Sequence, residues 1–346
     1  MNKVDYIIVG SGLAGILFAE VLIRNNKSFV VIDDASQQSS IVAGGLYNPV
    51  ILKRFSEVWR AKEQLNLALP VYKHLENVLE VKLDDKIPVR RLFNSVEEQN
   101  NWFIASDKPT LTDFLSTKII SNENQFIKAD FGFGEVLQTG RIDTNVMINA
   151  FIDYIEKNNQ FIQESFNYDV IKQKVNGIQY KNIETSHIVF AEGFGLKRNP
   201  FFNHLPLNGT KGELLTIHAP DLKIDYVLKS SVFLIPQGDD LYTVGATYEW
   251  VDKTNKTTQK GKEELLQKLS TFLKCEFEVV SQVAGIRPTV IDRRPLVGQH
   301  PEHKNMYVLN GLGTRGVMIA PYVAQKLFNF IEHKVDLDDE INITRF

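Results

Sequence analysis

The sequence predicts an α/β fold: a doubly wound domain with a parallel sheet, joined to a second domain of mixed antiparallel sheet. Three observations carry this expectation. Val4 to Val9 is a short apolar run rich in β-branched residues, and it stops at glycines Gly10, Gly12 and Gly15. A stretch with helical periodicity, roughly Leu13 to Asn26, is followed by a second apolar run, Ser28 to Ile32, ending at Asp33. Between Val81 and Gly140, and again between Leu205 and Ala284, short alternating runs broken by turn residues suggest antiparallel strands.

The first unit reads as strand, tight turn, helix and strand, the Rossmann-like order. Gly10 permits the sharp turn, Gly12 lets backbone approach a pyrophosphate, and Gly15 lets the helix pack closely on the strand. The helix aims the positive end of its dipole and unpaired N–H groups at phosphate. A carboxylate at Asp33 can accept both hydroxyls of an adenosine ribose and would repel a 2′-phosphate. The expected ligand is a non-phosphorylated dinucleotide. An empty glycine turn in an ordinary βαβ unit is the alternative.

Composition bounds the rest. A chain of 346 residues favours two domains, and 43% hydrophobic with 23% charged residues is ordinary for a globular protein. A net charge of −3 offers no general attraction to polyanions, so no nucleic-acid partner is expected. With no apolar run of about 18 residues and a first strand that starts at Val4, neither a membrane span nor a signal peptide is expected, and the predicted location is cytoplasmic. Cys275 is a single cysteine and reads as structural. His300 and His303 lack a third ligand at plausible spacing, so no metal site is assigned.

Along the chain, the paired glycines of IVAGGLYNPVILKRF, followed by Asn48-Pro49, predict a loop that returns over the dinucleotide. Glu57 to Val81 predicts a long amphipathic helix interrupted by Pro70, and Thr144 to Lys157 another. Strands are expected around Tyr168 to Ile171 and Gly177 to Tyr180, and over Ile188 to Ala191 before Gly193. ELLTIHA, SVFLIPQ and LYTVGATYEW read as sheet strands, followed by a polar helix from about Lys260 to Leu273. A final strand, MYVLNG, leads into the glycine-rich GLGTRG at the start of a C-terminal helix.

These motifs, VGSGLAG with Asp33, SSIVAGGLYNP, GRIDT, IVFAEG, KGE at Lys211 to Glu213, FLIP, VGATYE, GIRP and GLGTRGVMIAP, come in one order over nearly the whole chain. The ordered set resembles the D-amino-acid oxidase and glycine oxidase superfamily of FAD-dependent oxidoreductases. GTRG and GLYNP are also similar to the flavin half of the bifunctional enzyme that modifies carboxymethylaminomethyl-uridine in tRNA. Departures are Lys211, where the family often has arginine, and Arg293-Arg294 before PLVG.

The resemblance implies non-covalent FAD in a discontinuous Rossmann-like domain, assigned here to residues 1–80, 141–204 and 285–346, with a substrate domain over 81–140 and 205–284. It also implies cofactor contacts from Leu13, Ala14, Asp33, Asp34, Ser39, Ser40, Gly44, Gly45, Leu46 and Val170. Gly10, Gly12, Gly15, Ala191 and Gly193 join this set, and Gly311, Gly313, Thr314, Arg315, Gly316 and Val317 wrap the flavin.

The implied reaction is oxidation of the C–N bond of a small amino acid or carboxylate-bearing secondary amine by hydride transfer to flavin N5. Oxygen or a quinone is the expected electron acceptor, and oxidative trimming of a tRNA wobble-uridine side chain is the alternative. Arg287 offers a guanidinium fork that matches a carboxylate, although an arginine at a strand end can also serve in a structural salt bridge. Arg54 and Arg315 flank the cofactor loops as further candidates, and Tyr47, Phe233 and Tyr248 are candidate walls of the substrate pocket. No general base is assigned, because a substrate entering as the neutral amine requires none.

Overall fold

The computed structural model describes residues 2–175 and 177–346. Its first sheet is eight-stranded and organised around Asn2–Val9, which pairs in parallel with Phe29–Asp33 on one side and Ile183–Phe190 on the other. Phe161–Gln163 extends one edge in parallel. The outer edge of Ile183–Phe190 is shared between the antiparallel hairpin strand Gly177–Tyr180 and the parallel strand Met306–Asn310.

Both faces of the central strand are covered, which is why its sequence is almost wholly apolar. Tyr6 and Ile8 enter one core with α1 (Leu13–Arg24), α2 (Ala61–Leu79), α4 (Thr144–Lys157) and α6 (Gly316–His333). Ile7 and Val9 enter a second core with Phe190, Leu196, Phe202 and Val308. Four of the five parallel strands end in the turns at Gly10, Asp34, Ala191 and Gly311, so these turns gather at the carboxyl edge, where open α/β sheets form their crevice.

The second sheet has eight strands in the order Glu278–Arg287, Thr210–His218, Leu241–Gly245, Phe233–Gly238, Val227–Lys229, Val89–Leu92, Phe133–Val136 and Leu115–Ile120. All its pairings are antiparallel except Val227–Lys229 with Val89–Leu92. One face packs with α5 (Gln259–Leu269) through Leu215, Ile217, Leu234, Leu265 and Leu269. The other faces the loop around Ser39 to Gly44: a Cβ on Gly285 would stand 2.7 Å from Val42, and one on Gly44 would stand 3.0 Å from Ile235.

Three sequence expectations need correction. The helix over Ala61–Leu79 runs unbroken through Pro70. α3 (Val96–Ser106) occupies a stretch whose texture suggests only strands, with Ser95 Oγ accepting from Glu98 N at 3.2 Å and Glu98 Oε2 accepting from Asn94 N at 2.9 Å. Tyr168–Val170 is a 3-10 turn, and the strand begins only at Ile171.

Candidate active site and cofactor cleft

The strand Asn2–Val9 delivers the chain into Gly10 at φ +107°, where a Cβ would stand 2.5 Å from the Ala191 carbonyl oxygen. On Gly15 a Cβ would stand 1.9 Å from the Gly10 carbonyl oxygen, so Gly15 serves packing and does not line the cleft. α1 follows Gly12 as an N-cap without a side chain, which leaves first-turn N–H groups for a ligand; among the described residues only Leu13 N is taken by a side chain, by Ser40 Oγ at 3.1 Å.

A cleft of about 260 Å³ opens there. Gly10, Gly12, Leu13, Ala14, Asp33, Asp34, Ser39, Ser40, Ala191 and Gly193 line it, and Pro288, Asn310 and Leu312 close it from the far end of the chain. The Asp33 carboxylate accepts from Ser11 N and from Ala35 N at 2.5 Å, which fixes it at the mouth of the glycine turn. The donor set suits a dinucleotide: backbone N–H groups and a helix N-terminus for phosphate, carboxylates for ribose hydroxyls.

The cleft wall also contains residues that no sequence motif marks. Glu192 follows Ala191 and accepts from Tyr168 OH and from Asn199 Nδ2 at 2.7 Å; burial pushes its carboxyl up to about 7 despite those bonds. Phe166 and Tyr168 supply the wall expected of Val170, which sits at the end of its 3-10 turn outside the cleft lining. Asn310 Nδ2 donates to the Gly193 carbonyl at 2.9 Å and ties the last parallel strand to the cleft.

Gly44 abuts Phe233 and Ile235, while Gly45 and Leu46 are held elsewhere: Ile142 N donates to the Gly45 carbonyl at 2.9 Å, and Leu46–Tyr47 pairs with Gly140–Ile142. Tyr47 is therefore a correction. Its side chain is buried in the main core, with its hydroxyl at 2.8 Å from both Asp84 Oδ1 and Lys86 Nζ. Arg54 is also displaced from the expected group. It lies exposed on the turn between Val50–Ile51 and Ser56–Glu57, and among the described residues it makes no ion pair, hydrogen bond or ring contact with the other candidates.

Arg287 and Arg315 each come near Tyr248. The Arg287 guanidinium lies over Gly212, donates to the Thr247 carbonyl at 3.3 Å and sits 4.8 Å from the centre of the Tyr248 ring. Burial lowers the pKa of both arginines, with Tyr248 opposing the shift in each. Among the described residues neither guanidinium meets a carboxylate. Arg315 stands at the start of α6, after Gly311 and Gly313 at φ +76° and +59°, and Gly313 N donates to the Pro288 carbonyl at 3.1 Å. Thr314 is exposed, while Gly316 and Val317 open the helix with no side-chain cap.

The family model for FAD-dependent oxidoreductases matches residues 5–329. The chain belongs to this family. The donors of the cleft suit FAD, the cofactor of the family. The chain is similar to a glycine oxidase of Bacillus subtilis, with 23% identity over 241 residues, 65% of each chain. A tRNA 5-methylaminomethyl-2-thiouridine biosynthesis bifunctional protein of Idiomarina loihiensis is 28% identical over 129 residues, 36% of this chain and 21% of that one. The matches thus span under two thirds of these curated relatives. In fold, the chain is similar to an iminodiacetate oxidase of Chelativorans sp., with a TM-score of 0.82, 16% identity, and 97% and 98% of the two chains covered.

His300 Nδ1 accepts from Glu302 N and His303 N at 3.1 Å each, shaping a turn, and Cys275 is buried in the second sheet's core. No helix among the described residues is long and apolar enough to cross a membrane.

Proposed function

We propose that the chain oxidises the C–N bond of a small amino acid or secondary amine that carries a carboxylate. The observation behind this reading is that Arg287 and Arg315, both half-buried and near Tyr248, have no carboxylate partner among the described residues. A half-buried cation without a counter-ion gains from an anion beside it, so the two arginines suit an anion that arrives with the substrate. Arg287 presents a planar fork suited to two carboxylate oxygens, and Tyr248 covers its other side.

Bound FAD supplies the two-electron oxidation. The chain's own residues position the substrate. Gly212 leaves the space in which the Arg287 guanidinium lies, and the uncapped start of α6 offers N–H groups where negative charge gathers. Gly10, Gly12, Leu13 and Ala14 would hold the pyrophosphate, Asp33 and Asp34 the adenosine, and Ser39 and Ser40 the stretch between. An amine entering in its neutral form requires no basic side chain.

A second reading is supported by the exposed Tyr248, 60% accessible, beside Arg287. Aromatic rings at a pocket mouth can stack on bases, so the carboxylate-bearing amine could belong to a tRNA wobble-uridine side chain. Anaerobic mixing of the purified yellow protein with D-amino acids, glycine, sarcosine, proline and iminodiacetate tests the first reading. Bleaching by at least one of them is expected. Bleaching only by carboxymethylaminomethyl-uridine tRNA would favour the second, and oxygen against quinone in the reoxidation step identifies the acceptor.

A further inference from the structure

We infer that the substrate face carries a second anion-binding point at Lys229, for a substrate whose far end bears a carboxylate or phosphate. This deepens the amine-oxidation reading and rests on it. The register places the residue. Leu214 pairs with Gly245, Gly245 with Phe233, and Phe233 with Lys229, and residues directly opposite one another in antiparallel strands present their side chains to the same face. Gly212, two residues along from Leu214, lies on that face, and the Arg287 guanidinium covers it. Lys229 and Arg287 therefore share one surface, the one turned toward the Ser39 to Gly44 loop.

The surroundings of Lys229 lack what a structural lysine has. Its ammonium lies 5.8 Å from the centre of the Phe233 ring, and that ring abuts Gly44 and Gly245. Among the described residues it makes no ion pair and no hydrogen bond. The neighbouring cations are both satisfied, Arg91 by Glu98 at 2.6 Å and Lys268 by Glu264 at 2.5 Å. Burial, with Arg91 and Lys268 adding to it, lowers the Lys229 ammonium to about 8, so it remains mostly protonated at neutral pH and gains from an anion beside it.

The spacing defines the ligand. Three strand steps separate Thr210–His218 from Val227–Lys229, about 14 Å at the usual strand spacing, and the two-residue offset of Gly212 from Leu214 adds about 7 Å along the strand, so the guanidinium and the Lys229 backbone stand about 16 Å apart, a span the lysine side chain shortens. A secondary amine with a carboxymethyl group on one arm and an acidic terminus on the other meets that requirement.

The test uses the FAD-loaded full chain. Anaerobic flavin reduction is measured with N-(5-carboxypentyl)glycine, N-(5-phosphonopentyl)glycine and the uncharged-tail control N-hexylglycine, and binding of the inert azelate against nonanoate by calorimetry. The acid-tailed compounds should have an apparent KM at least tenfold below the control; Lys229→Met should abolish that preference without changing sarcosine turnover, and Lys229→Arg should retain it. A larger gain for the phosphonate would identify phosphate as the natural terminus, and a larger gain for the carboxylate a dicarboxylic amine. If the amines reduce the flavin but Lys229→Met leaves the tail preference unchanged, the second point is overturned and the oxidation reading stands. If no amine reduces the flavin yet azelate binding is weakened tenfold by Lys229→Met, the anion point stands and the oxidation reading falls. Azelate binding that Lys229→Met does not weaken, with no amine reducing the flavin, overturns both.

Discussion

The guanidinium of Arg287 occupies the space a side chain on Gly212 would need: a Cβ there would stand 2.0 Å from Nη2 and 2.2 Å from Cζ. The two residues come from adjacent strands, with Gly212 opposite Gly285 and Arg287 two residues further along. Glycine in the KGE phrase is thus a steric condition on where the arginine can lie.

Gly212→Ala should therefore reproduce the loss of the arginine while leaving it in the sequence. Displacing a hydrogen-bonded charge from its partner typically costs about 2–5 kcal/mol, at least about a 30-fold rise in KM. Steady-state kinetics with the flavin-bleaching amine, alongside the flavin-to-protein absorbance ratio, checks this; KM should rise while FAD content holds.

Gly10→Ala should act on the cofactor. The native φ of +107° is strained for alanine, and the added carbon meets the Ala191 carbonyl at 2.5 Å. Backbone strain alone costs about 1–3 kcal/mol, and the turn that faces the pyrophosphate would shift as well. Purified variant should carry less FAD and melt lower than the parent in the same buffer.

Glu192 predicts a pH dependence. Its folded pKa, about 7, lies above its ordinary value of 4.5, so the folded state binds the proton more tightly than the unfolded chain. The carboxyl thus contributes stability that is present below about pH 4.5 and lost as pH rises toward 7. His187 works in the opposite direction, burial lowering it to about 4, so its contribution is lost as pH falls from 6.5 toward 4. The comparison of parent with Glu192→Gln isolates the first effect: the melting temperature of the variant relative to the parent should rise between pH 5 and 7.

Lys211 is fully buried, with Asp252 at 2.5 Å and Glu213 at 3.7 Å. Glu213 in turn accepts from Thr258 N at 2.8 Å and Gln282 Nε2 at 2.7 Å, so the lysine anchors the segment that carries Tyr248. Lys211→Met leaves two acids without their cation, and removing one partner of such a buried group costs about 3–5 kcal/mol. Urea unfolding followed by tryptophan fluorescence should show that loss.

What the sequence revealed and what it hid divide along a physical line. Gly10, Gly12 and the run into Asp33 are legible because the turn, the helix start and the acid depend on neighbours within about thirty residues. α4 spans Thr144–Lys157 as its periodicity predicts, with Asp143 capping Val146 N. Tyr47 misleads because its environment comes from Asp84, Lys86 and Gly140, none of which the local pattern reveals. Val170 misleads because Asn167 Oδ1 accepts from Asp169 N and turns the chain into a 3-10 turn. Glu192 reads as an ordinary polar residue after a strand until Tyr168 and Asn199 are brought to it. α3 was detectable in principle, since Ser95 and Glu98 carry a capping box that the surrounding alternating texture obscures.

The most direct test of the account is anaerobic flavin reduction by a reactive amine in the parent and in Arg287→Ala, each with its FAD content measured. Arg287→Ala should retain a full complement of FAD while the amine concentration for half-maximal reduction rises about 30-fold or more. Loss of FAD in proportion to loss of reduction, or an unchanged half-maximal concentration, would contradict the assignment of Arg287 to the substrate carboxylate.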